Sequence, residues 1–260
     1  MNLNFFERIH GKEKINFRVL GVNARNLYGT YEELENELLY YNEKGYDIHF
    51  VVNEGCTKGH EIDKITAVFI DIDCGKDKNG KYFELSKVEV LKKYYLDKIR
   101  KFMYKPSFII DTRNGYHVYW LVKEGTELED FLKAQLRLIK YFNSDEAVKT
   151  FEHTIRVPGF FWVKDKQNKY MCDIIEEHDV RYDLKDILSV LPECKEGNNI
   201  TGRVARFVSG NIEHSHYSED NIELIKNKNI LGLRKVLFGV EIERKVTAIY
   251  DRYKEYRLFR

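Results

Sequence analysis

The stretch Ala67-Val68-Phe69-Ile70-Asp71-Ile72-Asp73-Cys74-Gly75 constrains the fold of this chain more than any other. An unbroken apolar run leads into two aspartates one residue apart, and a glycine closes it. A continuous rather than alternating apolar run reads as a strand buried on both faces. The period of two then sets Asp71 and Asp73 on one face, about 6–7 Å apart along the strand at ~3.3 Å per residue. Carboxylates that close, at the end of a buried strand, repel each other unless a cation lies between them. Oxygen-only ligation suits the hard ions Mg²⁺ and Mn²⁺. The plainer alternative is an Asp-x-Asp that simply faces water at a strand end.

Around that strand the pattern alternates between strands and helices. Residues 15–22 alternate as a strand. Thr30 caps a helix from Tyr31 to about Lys44, with Glu32 and Glu33 in its first turn and Gly45 past its end. Tyr46 to Asn53 is a strand, and Leu85 to Phe102 has helical periodicity. After Pro106 come two strands, 107–112 and 116–122, with Arg113-Asn114-Gly115 as the turn between them. A helix over 127–142 ends at Asn143-Ser144-Asp145; Pro158-Gly159 marks a turn, 169–176 a strand and 184–191 a short helix. Strand–strand hairpins mixed with helices predict an α+β fold, a mainly antiparallel sheet flanked by helices. The composition shifts after Pro192, so residues 1–192 read as one folded core, 193–218 as a linker and 219–260 as a small C-terminal helical region.

Composition excludes several classes. With 43% hydrophobic and 33% charged residues the chain is globular rather than disordered. No apolar run approaches the ~20 residues of a membrane span. Met1 to Glu7 lacks the basic start and apolar core of a secretory signal, and four cysteines in 260 residues suggest reduced thiols, so the expected compartment is the cytoplasm. Cys56, His60 and Cys74 fit no common zinc spacing. A net charge of +1 neither announces nor excludes a nucleic-acid partner, because a basic face can coexist with acidic surface elsewhere.

Further candidates lie downstream. Alternation gives His117, Tyr119 and Leu121 one face of their strand. The turn before them offers backbone N–H groups to a phosphate, and Arg113 a planar fork. Taken singly, His117, Asp145, Arg156 and Lys164 read as ordinary core or surface residues.

Taken in order, the pieces resemble the archaeo-eukaryotic primase superfamily, in its small primase-polymerase branch of plasmid, phage and CRISPR-associated proteins. The residues that carry the resemblance are Phe69-Ile70-Asp71-Ile72-Asp73, then Thr112-Arg113-Asn114-Gly115-Tyr116-His117-Val118-Tyr119-Trp120, then Ile155-Arg156-Val157-Pro158-Gly159 followed by Lys164. Tyr41 to Gly45, leading into a strand that ends Val52-Asn53, is similar as well, so the likeness spans roughly residues 15–180. Two positions depart from the branch: Gly115 stands where a small hydroxyl residue is usual, and Trp162 where asparagine is common.

The resemblance implies template-directed nucleotidyl transfer, by a DNA primase, a DNA polymerase or both. Asp71, Asp73 and Asp145 would hold two Mg²⁺ or Mn²⁺ ions, with Asp173 competing for the third place. His117, Arg113, Lys164 and the amides of Arg113, Asn114 and Gly115 would take the triphosphate, and Arg156 a phosphate or the template backbone. Implied partners are single-stranded DNA template and primer, dNTPs or NTPs, and a helicase or another replication or CRISPR protein. The C-terminal cations Arg234, Lys235, Arg244, Lys245, Arg252 and Lys254 could grip template, though the interleaved Glu241, Glu243, Asp251 and Glu255 suit a solvated helix face equally. The same residues leave two alternatives: a metal-dependent nuclease, or a catalytically idle DNA-binding replication initiator or adaptor.

Overall fold

A computed structural model describes residues 2–53, 64–77, 81–150, 153–165 and 167–193. The C-terminal helical region and all but the first residue of the linker lie outside the described residues, as do Cys56 and His60.

The chain begins with a helix, α1 (Asn2–His10), followed by β1 (Ile15–Leu20) and β2 (Arg25–Gly29). Helix α2 (Tyr31–Glu43) starts at the expected capping box: Thr30 accepts from the Glu33 amide, and the Glu33 carboxylate accepts from the Thr30 amide. Then come β3 (Asp47–Val51), β4 (Ala67–Asp73), α3 (Leu85–Arg100), β5 (Phe108–Thr112), β6 (Gly115–Leu121) and α4 (Leu128–Phe142). A left-handed Asn143 (φ 55°) ends α4 and leads into a short 3-10 helix, Glu146–Lys149. The strands β7 (Thr154–Arg156), β8 (Phe161–Trp162), β9 (Tyr170–Met171) and β10 (Asp173–Glu177) and helix α5 (Leu184–Val190) complete the described part. The strand expected over 169–176 is therefore two strands, separated at Cys172.

The expected antiparallel sheet is present as two four-stranded sheets, ordered β2-β1-β3-β7 and β10-β5-β6-β4, with β8-β9 as a small ribbon. Every pairing between these strands is antiparallel. One hydrophobic cluster draws on both large sheets and on α1: Phe5 meets Phe50 of β3 and, across it, Phe108 and Tyr119 of β5 and β6. In β4 the residues Ala67 to Ile70 are all fully buried, as the unbroken apolar run predicts. Among the described residues no helix is long and apolar enough to cross a membrane.

Candidate active site

Strand β4 lies antiparallel to β6, and the register places Asp71 opposite His117 and Asp73 opposite Gly115. Asp71 and His117 therefore share one face, with His117 Nε2 3.8 Å from Asp71 Oδ1. Gly115 belongs to the ladder rather than to the turn, which is the two residues Arg113 and Asn114. A Cβ on Gly115 would fall 1.7 Å from the Ile72 carbonyl oxygen, so the two strands approach this closely only because the residue is glycine. The Asn114 carbonyl accepts from the Cys74 amide (2.7 Å), which ties the β5–β6 turn to the end of β4.

In the other sheet β3 alternates apolar Ile48 and Phe50 with His49. Cross-strand pairing sets Arg18, His49 and Arg156 in one row across β1, β3 and β7. Arg156 is nearly buried and forms an ion pair with buried Asp47 (3.5 Å), so part of its charge is offset within the protein.

A cleft of about 440 Å³, within the usual range for small-molecule sites, is lined from both sheets. It gathers Asp71, Asp73, Arg113, Asn114, His117, Arg156 and Lys164, and adds His49, Lys76, Tyr82, Thr112, His153 and Trp162. Of the residues singled out from sequence, Gly115 and Asp145 are not part of its lining. Asp145 is nonetheless adjacent, since its amide donates to the Asp71 carbonyl (2.9 Å). Asp173 lies on β10, at the opposite edge of the sheet from β4 with two strands between, and pairs with Asp111. That position excludes it from the cleft.

Three acids, Asp71, Asp73 and Asp145, act on one another at the end of β4. Burial first, then the charges of Asp145 and Asp73, push the Asp71 carboxyl up to about 7, with Arg156 opposing. His117 is driven the other way by burial and by the positive field of Arg156, so it is a neutral imidazole at physiological pH, and its Nδ1 has no hydrogen-bond partner among the described residues. His49 is pushed down to about 3 by burial and then by Arg156. Among the described residues no three His, Cys, Asp or Glu side chains already close on a common point. The Asp145 carboxylate caps the Ala147 amide (2.9 Å), and Asp73 accepts from the Gly75 amide (2.7 Å). The donor set still fits a hard divalent cation, because its oxygens are mutually repelling carboxylates that such a charge would relieve.

His49, Lys76, Tyr82 and His153 were not anticipated from sequence. Each is isolated in its segment, and only His49 left a trace, as a polar residue interrupting the apolar strand β3. The aromatic residues near the motifs divide: Tyr116, Tyr119 and Phe160 are buried in the core, whereas Phe161 is 39% exposed.

No protein-family description matches the chain, and no curated protein matches it in sequence. Solved structures do. The primase-polymerase AEP domain of cyanophage S-2L aligns with a TM-score of 0.55 at 19% identity, covering 73% of this chain and 96% of that one. The catalytic domain of primase RepB′, solved in complex with initiator DNA, aligns at 0.54 and 14%, covering 82% and 97%. A second RepB′ structure gives the same score and identity over 91% and 76%. These alignments show that the described strands and helices take the fold of the cyanophage S-2L primase-polymerase AEP domain and of the RepB′ catalytic domain.

Proposed function

We propose that the chain is a template-dependent nucleotidyltransferase, a DNA primase, a DNA polymerase or both, which joins nucleoside triphosphates on a single-stranded DNA template. One observation carries the reading: a single cleft holds both an acidic pair, Asp71 and Asp73, and a set of cations, Arg113, Lys164, Lys76 and Arg156. A nucleoside triphosphate needs both, and a phosphodiesterase has less use for the cations. The RepB′ catalytic domain was solved in complex with initiator DNA, which supports DNA as partner.

Asp71, Asp73 and Asp145 are the residues that would hold Mg²⁺ or Mn²⁺, with Asp145 exchanging its cap on Ala147 for the ion. Such ions supply Lewis acidity and charge neutralisation at the phosphates. The protein's own part is positioning and a preset positive field. Arg113 and Lys164 bind the triphosphate by charge. His117, kept neutral by burial and by the field of Arg156, contributes a polar cleft wall beside Asp71 rather than a positive charge. Arg156, fixed by Asp47, adds its field from the cleft wall.

The test is incorporation of labelled nucleotides on single-stranded DNA with Mg²⁺ or Mn²⁺, with and without primer. Wild type should synthesise, and Asp71→Ala/Asp73→Ala should lose at least ~10³-fold of that activity. Unchanged incorporation in the double variant would refute the assignment. Template degradation without synthesis would indicate a nuclease, and DNA binding alone an adaptor.

A further inference from the structure

Trp162 stands where the resembling branch commonly carries asparagine, and the fold holds it in place from three sides. The residue before it is clamped by buried Asn42, whose side chain donates to the Phe161 carbonyl (2.9 Å) and accepts from the Phe161 amide (2.8 Å). The residue after it, Val163, donates its amide to Asp47 (3.2 Å). Across the ribbon Trp162 pairs with Tyr170, whose hydroxyl donates to Asp111 on β5. Asp111 in turn is paired with Lys92 (2.6 Å), and it lies two residues before Arg113. The β8–β9 ribbon is thus anchored to the strand that leads into the Arg113 turn.

The consequence is that the Arg113 guanidinium carbon lies 4.4 Å from the centre of the Trp162 ring. That distance is a cation–π contact. Among the described residues no hydrogen bond or close ion pair takes the Arg113 N–H donors; the carboxylate it acts on, Asp165, is exposed and held by Asn168 and by the Gln167 amide. An arginine held by a carboxylate would be oriented too, but with its charge offset and two donors taken, as Arg156 is partly offset by Asp47. A ring contact takes no N–H donor, and both residues line the cleft.

We infer that Trp162 is a positioning residue for anion binding: it stacks Arg113 so that the guanidinium edge is presented, preoriented and unpaired, to the polyphosphate of the substrate. This rests on the nucleotidyltransferase reading for the identity of the substrate. The anion-holding geometry does not depend on it.

The test uses the full-length protein and two probes: inorganic tripolyphosphate, titrated by calorimetry, and nucleotide incorporation kinetics at saturating template. Trp162→Leu should weaken tripolyphosphate binding and raise the nucleotide KM roughly 3–10-fold, with kcat within about twofold. Trp162→Phe, which keeps a ring face, should recover most of the loss. In an Arg113→Ala background, Trp162→Leu should add nothing further. Additive losses would overturn the inference, since Trp162 would then act on its own, as a platform for the base. Equal losses in Trp162→Phe and Trp162→Leu, a neutral Trp162→Leu, or no tripolyphosphate binding by wild type would also overturn it. Should wild type bind tripolyphosphate with the expected pattern yet incorporate no nucleotide, the proposed function falls and the Trp162–Arg113 inference stands.

Discussion

Asp71 sits under burial and beside two like charges, and its carboxyl is pushed up to about 7. Its value in the unfolded chain is about 3.9. Between those two values the native protein holds a proton that the unfolded chain has released, so stability falls as pH rises from about 4 to 7. Asp71→Asn removes that penalty. In chelator, the variant should melt with wild type near pH 4 and several degrees above it at pH 8, a gain on the order of 1–2 kcal/mol. Added Mn²⁺ should then raise wild type more than the variant. Melting curves that stay parallel from pH 4 to 8 would show that Asp71 carries no such strain. Gly115 teaches a different lesson at the same scale. By composition it read as a turn residue that could cradle a phosphate, whereas its place in the ladder is set by the Ile72 carbonyl, a contact no local pattern encodes.

Strand β4 is an edge strand, and its outer side is covered from α4 and the 3-10 helix rather than by another strand. Fully buried Gln135 donates through Nε2 to the carbonyls of Phe69 (2.6 Å) and Val148 (2.7 Å), while its Oε1 accepts from the Phe69 amide (3.1 Å). One side chain therefore binds the strand that carries Asp71 and Asp73 to the 3-10 helix capped by Asp145. Gln135→Leu would leave those three groups unpaired in the interior. Urea unfolding should show a loss of about 2–4 kcal/mol, and the surviving folded protein should incorporate nucleotide more slowly, because Asp145 loses its registration on Asp71. A variant as stable as wild type would mean that the edge is satisfied some other way. The elements themselves were largely legible, because β4, α2 and the β5–β6 hairpin each carry an unambiguous period or cap. Gln135 was visible only as a polar residue on the apolar face of α4, and its two partners are 66 and 13 residues away in sequence.

At the scale of the molecule, the cleft is a joint product of two sheets. His49 and Arg156 come from one, and Asp71, Asp73 and His117 from the other. Their spacing depends on what joins the sheets, and α1 is part of it. This helix was not read from the sequence, because nine residues have little helical stability of their own and form here by packing. Phe5 places its ring 5.8 Å from Phe50 in the first sheet, and 4.9 and 5.5 Å from Phe108 and Tyr119 in the second. Removing it opens a cavity where the sheets meet, so Phe5→Ala should cost about 3–5 kcal/mol, while Phe5→Leu retains most of the packing. The argument also predicts a functional loss well below the melting temperature: with the sheets less firmly joined, the nucleotide KM should rise in Phe5→Ala although no residue of the cleft has changed. Unfolding curves and incorporation kinetics on the same preparation check both parts. A destabilised Phe5→Ala with an unaltered KM would show that the sheets keep their relative position without α1, and that the helix contributes stability alone.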